Sequence, residues 1–412
     1  MKVLIDARLI SGRSGGVEQA VIGLANALST CNQSEFQFIW LMFEKETDWL
    51  EKHLPESSTI IEMGRPNDSS VIRNSLIRFM RSFPLTQRLL PLIRKFGPWK
   101  YELPPEPDII STISPDVIHF PTQFGFKTNY PNIYQPHDLQ HLHFPMNFPL
   151  EVLLIRKVGY GAMLKQASRI VVGNAWTKND VELHYPKTKG KVENVPVFPQ
   201  LLPSISNSLP DKFLFKNRKY LYYPAAGWIH KNHIRLFSAL AIVRNDGLEL
   251  DLVLSGTNLE ENQSLLQEIN RLGLVNHVHI MGFVNTSILV GLYKGAAAVI
   301  VPSVFESASF PIWEAFNLGV PVISATTTSL PEQARNSAEF FDPFKVNSIS
   351  EAIKNVIRGG PKVDERVKIG AIRVKQFTAK NTAIGYRFSY RRSLSLPYDE
   401  IDLEWINSGV RF

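Results

Sequence analysis

The chain has a single cysteine, Cys31, among its 412 residues. One thiol cannot close an internal disulfide, and no cysteine–histidine spacing reads as a zinc site, so a disulfide-stapled or zinc-ribbon scaffold is excluded. Long apolar runs are lacking as well: no stretch approaches the roughly 18 uninterrupted apolar residues of a membrane-spanning helix. At the N-terminus, Asp6 and Arg8 interrupt the apolar run too early for a signal peptide. These absences predict a soluble, reduced, cytoplasmic protein. Acid is also missing locally. Between Asp68 and Glu102 there is no carboxylate, while Arg73, Arg78, Arg81, Arg88, Arg94, Lys95 and Lys100 are all basic.

That basic stretch, about 69–101, carries part of the formal net charge of +7. Ile72, Leu76, Phe79, Met80 and Phe83 give its first helical piece an apolar face beside a basic edge, and Pro84, Pro91 and Pro98 break the rest. The composition fits a segment lying in an anionic membrane interface. It equally fits a helical insertion packed on its own domain with solvated arginines. Nucleic acid is disfavoured, because no binding motif accompanies the charge.

A chain of this length suits two α/β domains of about 200 residues each. Strands are predicted at Lys2–Asp6, Phe36–Phe43, Asp116–Phe120, Asn132–Gln135 and Arg169–Val172, with a helix near Val17–Leu28 and another from Ala175. Pro196, Pro199, Pro203 and Pro210 mark a linker. The pattern restarts with strand Tyr220–Tyr223, helix Ile234–Val243, strand Leu250–Ser255, helix Leu259–Leu272, strand Val278–Ile280 and helix Ser287–Lys294. Alternation of this kind predicts doubly wound parallel sheets, Rossmann-like, in both halves. The boundaries are 1–200 for an N-terminal domain, 201–380 for a second domain and 381–412 for a tail.

The densest signal is AAAVIVPSVFESASFPIWEAFNLGVPVISA, which sets Glu306 and Glu314 eight residues apart across a strand-to-helix junction. Ala296–Val301 is a buried parallel strand ending at Pro302. Pro311 suits the first turn of a helix, Gly319 suits its end, and Val320–Ser324 starts the next strand. Glu306 then lies on a loop at the carboxyl end of a strand, with Glu314 one turn into the helix on the same crevice. In open α/β sheets that crevice takes ligands, and the amides around Ser309–Ile312, those of Ser309 and Phe310 included, favour an anion. An anion held by amides, with two carboxylates left for hydroxyls, points to a sugar nucleotide. Read singly, each glutamate could be a solvated or dipole-complementing side chain.

The whole string resembles the donor-site signature of retaining glycosyltransferases of family 4, with the GT-B fold, where the pattern runs P-S-x-x-E-x-F-G-x-P-x-x-E-A. It departs at Ser307-Ala308-Ser309, where the family usually has Gly-Phe-Gly. A second segment, Tyr223-Pro224-Ala225-Ala226-Gly227-Trp228-Ile229-His230-Lys231-Asn232-His233, resembles the Y-P-A-x-x-W-x-H-K-N-H segment of a bacterial branch of that family. Lys231 stands where a helix begins, so a cation and free amides would together neutralise a leaving diphosphate. Many relatives carry an arginine five residues earlier, at Ala226 here; Arg235 or Arg13 could compensate.

His137-Asp138-Leu139-Gln140-His141-Leu142-His143 invites a metal reading, since imidazole and carboxylate are common ligands. No helical i, i+4 ligand pair with a third distant ligand is evident, so no metal ligands are assigned. The block resembles the His-Asp-Leu-Gln-His segment of the same branch, which implies that His137 sits at the sugar–diphosphate junction and that the other histidines are structural. Gly15-Gly16, at the mouth of the first helix, is neither a dinucleotide fingerprint nor a P-loop. By its place and its resemblance to the family's glycine loop it approaches phosphate or acceptor. Phe283 and Val284 match the segment that lines the nucleobase, although a core role fits them equally.

The resemblance implies a retaining, metal-independent transferase that moves a sugar from a nucleotide-diphosphate sugar to a glycan or lipid-linked saccharide, without a cofactor, in bacterial surface polysaccharide assembly. Its catalytic residues are His137, Lys231 and Glu306. Gly15, Gly16, Phe283, Val284, Ser309, Phe310 and Glu314 bind donor nucleotide. It also implies that the 1–200 domain faces acceptor, that the 201–380 domain holds donor, and that the tail crosses back to the first domain. A sugar-nucleotide epimerase of the same fold and a non-catalytic glycan-binding protein remain as alternatives. Localisation is expected to be cytoplasmic, or peripheral on the inner face of the cell membrane.

Overall fold

The computed structural model describes residues 1–12, 15–32, 34–65, 102–199, 201–203, 209, 213, 215 and 217–409. The basic apolar stretch at about 69–101 lies outside the described residues. No helix among them is long and apolar enough to cross a membrane.

Two parallel sheets organise the chain. The first contains β1 (Lys2–Asp6), β2 (Gln37–Phe43), β3 (Thr59–Met63), β4 (Val117–Phe120), β5 (Asn132–Tyr134), β6 (Arg169–Val172) and β7 (Val192–Asn194). Its order is β3-β2-β1-β4-β5-β6-β7. The second contains β8 (Tyr220–Pro224), β9 (Asp251–Ser255), β10 (Val278–Ile280), β11 (Ala298–Val301), β12 (Val322–Ala325) and β13 (Glu339–Phe341), in the order β10-β9-β8-β11-β12-β13. Helices cover both faces, so central strands read as continuous apolar runs; Phe38 to Met42 on β2 are all buried. Burying each such large side chain contributes about 1.5–3 kcal/mol relative to exposure. Two cores flank the first sheet and one large core fills the second domain.

Strand order reverses beside β1 in the first sheet and beside β8 in the second. At such a switch point the flanking loops diverge to opposite faces and leave a crevice at the carboxyl ends of the strands. The loops after β1, β4 and β5 therefore meet one crevice, and those after β8 and β11 the other. The long helix Ala379–Ser393 leaves the second domain and docks on the first. Tyr390 sits 3.0 Å from His119 Nδ1 through its hydroxyl, Tyr386 donates to Gln135, and Thr382 donates to the Pro196 carbonyl. Helix Glu400–Asn407, held by an Asp399/Asp402 capping box, closes over it through Arg387 and Arg391.

Candidate active site between the two sheets

The second-domain half of the site grows from two neighbouring strands. After β8 the chain turns at Gly227, where a Cβ would lie 1.8 Å from the Asn258 carbonyl oxygen, so only glycine fits this backbone approach. One short 3₁₀ turn, Ile229–Lys231, follows and stops at Asn232 in the left-handed region. The Asn232 side chain donates to the carbonyls of Pro302 and Pro343, 2.9 Å each, which ties this loop to the end of β11. Because β8 and β11 are hydrogen-bonded neighbours, Lys231 and Glu306 arrive side by side. Lys231 Nζ lies 2.5 Å from Glu306 Oε1, and Ser303 Oγ donates to the same oxygen at 2.7 Å. Glu306 is buried, and its Oε2 has no hydrogen bond among the described residues. Tyr223, also buried, places its hydroxyl 3.0 Å from Ser303 Oγ and 3.1 Å from the Lys231 carbonyl.

The loop around Glu306 is shaped by the segment Thr328–Gln333. Thr328 and Ser329 hydroxyls hold the main chain of Glu306 and Ser307. Gln333 accepts from Ser309 N at 2.9 Å and donates to Ser309 O at 2.7 Å. This corrects the expected anion cradle. Ser309 N is taken by Gln333, Ile312 N bonds the Ser309 carbonyl at 3.2 Å, and Pro311 has no N–H. The amides of Ser307, Ala308 and Phe310 have no hydrogen bond among the described residues, so the donors available to an anion flank Ser309 rather than include it.

Glu314 lies on helix Phe310–Leu318, which ends at Gly319 in the left-handed region. Its carboxyl accepts from the Tyr293 hydroxyl, and Tyr293 is buried edge-on against Tyr222 at 4.9 Å. Burial pushes the Glu314 carboxyl up to about 7 against the opposing pull of that hydrogen bond.

The first-domain half faces this from across the cleft. A Cβ at Gly15 would stand 3.6 Å from the Trp228 ring, and one at Gly16 3.9 Å from the Phe310 ring, so the glycine loop lies against the mouth of the second-domain crevice. His137 follows β5 with a φ of 63°, a conformation rare outside glycine. Its Nε2 donates to the Pro121 carbonyl at 2.7 Å, and burial lowers the imidazole below its ordinary range, so it is neutral with Nδ1 as the remaining acceptor. Burial raises the Asp138 carboxyl, which also feels Arg156, His137 and, across the cleft, Glu306. The rings of His143 and Phe144 meet Phe305, the residue before Glu306, at 5.3 and 6.0 Å.

Other assignments land elsewhere. Phe283 is 87% exposed after β10, whereas Val284 is half-buried against the second core, the packing role that its sequence reading left open. Arg235 donates to Asn232 at 2.9 Å and stands over the Phe344 ring, so it is already engaged away from Ala226. Arg13 lies outside the described residues. His143 Nε2 is 2.8 Å from Asp180, which forms a helical i, i+4 pair with His184, so the three side chains meet from two separate elements. Sequence reasoning also missed Glu332. Its two carboxylate oxygens accept from Ala175 N and Trp176 N, 2.8 Å each, capping a first-domain helix from the second domain. Asn174 caps Thr177 N and donates to the Ser307 carbonyl. An asparagine at that position is an N-cap signal legible in the sequence. Tyr293 left no such mark.

Residues 206–373 match the family profile described as "Glycosyl transferases group 1". The chain is 32% identical over 130 residues to O-antigen chain mannosyltransferase B of Escherichia coli, covering 32% of this chain and 34% of that protein. It is 28% identical over 223 residues to the O-antigen chain mannosyltransferase RfbU of Salmonella typhimurium, covering 53% and 59%. The chain thus spans about a third and about three fifths of the length of these curated relatives. Among solved structures, sucrose-phosphate synthase from Thermosynechococcus elongatus superposes with a TM-score of 0.66 at 14% identity, over 96% of this chain and 99% of that one. Anabaena HepE, solved in complex with UDP and glucose, gives 0.66 at 18% identity over 94% and 98%. The chain therefore has the GT-B fold, and the stretch of its second half at residues 206–373 is similar to the glycosyltransferase group 1 profile.

Proposed function

We propose that this chain is a retaining glycosyltransferase that takes a nucleotide-diphosphate sugar and glycosylates a glycan or lipid-linked saccharide in bacterial surface polysaccharide assembly. The observation that carries the reading is the Lys231–Glu306 pair, set at the switch point of the second sheet beside the unpartnered amides of Ala308 and Phe310. A bound diphosphate would draw Lys231 and those amides to its oxygens and neutralise the leaving group without a divalent ion or cofactor. Glu306, with Oε2 unengaged, would accept from donor-sugar hydroxyls and place negative charge near the anomeric carbon. His137 would hold the sugar–diphosphate junction through Nδ1, Gly15 and Gly16 would close over the phosphates, and Glu314 would accept from ribose. Phe283, exposed after β10, would stack on a base. The 1–200 domain would face acceptor and the 201–380 domain donor, with 381–412 as the crossing tail. The names of the two similar curated proteins put mannosyl donors first among the sugars to test.

A thermal-shift panel of UDP-, GDP-, ADP- and dTDP-sugars identifies the donor, since stabilisation follows affinity. Lys231→Ala should slow transfer about 10²–10³-fold with donor affinity little changed. Glu314→Gln should weaken nucleotide binding about 10-fold. Normal turnover and affinity in both variants would reject these roles. Conversion of donor without acceptor would instead identify an epimerase, and binding without turnover a glycan-binding protein. The peripheral-membrane reading predicts that full-length chain floats with anionic liposomes and that neutralising Arg73, Arg78 and Arg81 abolishes flotation.

A further inference from the structure

We propose that His143, Asp180 and His184 form a binding site for a first-row divalent transition-metal ion, zinc above all, separate from the donor cradle. Helix Ala175–His184 sets Asp180 and His184 four residues apart on one face, and the short helix Gln140–His143 delivers the third side chain. His143 Nε2 lies 2.8 Å and His184 Nδ1 3.2 Å from the same oxygen, Asp180 Oδ1. One ligand atom from each residue lies within 4.8 Å of the other two. With metal–ligand bonds of about 2.0–2.1 Å, the edges of a tetrahedral shell come to roughly 3.3 Å, so these atoms already stand near coordination distance.

A second observation points to a cation. Asp180 is buried, and its other oxygen, Oδ2, has no hydrogen-bond partner among the described residues. A buried carboxylate oxygen left without a donor is costly, and an ion beside it removes that cost. Both imidazoles are exposed, which leaves an entry path and room for water in a fourth position. Two imidazoles and one carboxylate suit zinc, cobalt or nickel better than the all-oxygen shells of magnesium or calcium.

A similar-looking group in the second domain shows what a cluster built without an ion looks like. Asp251 is held by His277 and His279, but Arg218 and Arg244 also contact it at 3.2 and 3.4 Å. There both carboxylate oxygens are satisfied, and two guanidiniums would repel a cation. Among the described residues no arginine or lysine bonds Asp180. Because the His143 ring touches Trp176 and Phe305, an ion at the triad would stiffen the wall of the cleft next to Glu306. It would perform no bond-making step there.

The test uses full-length, untagged protein stripped with chelator. Titration with Zn²⁺ in a calorimeter should give one site per chain, and Co²⁺ should give the visible d–d bands of a tetrahedral complex. His184→Ala, His143→Ala and Asp180→Asn should each abolish the Co²⁺ bands. Each should also weaken Zn²⁺ binding by at least the roughly 10–100-fold typical of losing an outer-shell partner. His277→Ala should leave both signals intact, and the melting temperature of each metal-free variant reports whether it folds. The surface variants His143→Ala and His184→Ala keep the test decisive if Asp180→Asn does not fold. Absence of Zn²⁺ binding by the unmodified chain, or binding that survives loss of His143 and His184, overturns the site.

Discussion

Glu314 is a carboxyl whose ionisation is held back by where it sits, and that gives its role a pH signature. Unfolded, it titrates near 4.5; folded, near 7. A raised acid pKa means that the folded state keeps its proton longer, so stability is full below about 4.5 and is lost as pH rises towards about 7. Relative to Glu314→Gln, which never ionises, the unmodified chain should lose about 3 kcal/mol across that window, read from urea midpoints. Donor affinity should move the opposite way, tightening as pH rises through about 7, because a charged carboxylate accepts a ribose hydroxyl more strongly than a neutral one. A donor affinity that follows the same pH curve in the Gln variant would remove Glu314 from the nucleotide site.

At the scale of elements, two contacts make the site. The turn after β8 exists because Gly227 lets the backbone press on Asn258. Gly227→Ala should cost about 1–3 kcal/mol by overpacking, and because that turn aims Lys231, turnover should fall more than stability predicts. A kinetic profile indistinguishable from the unmodified chain would show that Lys231 does not depend on the turn. Glu332 acts between domains. Glu332→Ala leaves Ala175 N and Trp176 N without their acceptor, a loss of about 1–2 kcal/mol by analogy with an N-cap. A larger radius of gyration in solution scattering is the expected outcome, with an unchanged value showing that other contacts hold the cleft. Most of the elements themselves were legible. The strands that sequence reasoning did not assign are β3, β7 and β13, and each lies at a sheet edge. An edge strand pairs on one side and can be short or half-polar, as in Val192-Glu193-Asn194, so the apolar run that betrays a central strand is absent. Helix Leu150–Gln166 escaped for a related reason: its apolar residues are spread around it, with Leu154, Ile155 and Val158 exposed.

Across the whole molecule, buried histidines set the acid limit. Burial lowers His119 and His233 from 6.5 to about 3, and His141 and His230 to about 4. For a base with a depressed folded pKa, the unfolded chain takes up protons first, so stability is full above 6.5 and falls as pH drops towards those values. Two of these residues lie in each domain, so both should weaken together, giving a single cooperative loss of melting temperature between pH 6.5 and 4. A melting temperature that stays flat over that range would show that these imidazoles are hydrated in solution.

The sequence by itself determined the alternation of buried strands and helices and the two loops that carry Lys231 and Glu306, because both follow from local pattern: apolar runs, prolines at helix starts, glycines at helix ends. Only the tertiary structure decided which of those loops meet. Lys231 pairs with Glu306 because β8 lies next to β11, Gln333 occupies the Ser309 amide, Glu332 reaches a helix in the other domain, and His143 joins Asp180 and His184 from a separate element. Strand order and domain closure set such distances, and they are collective outcomes of packing that no window of neighbouring residues encodes.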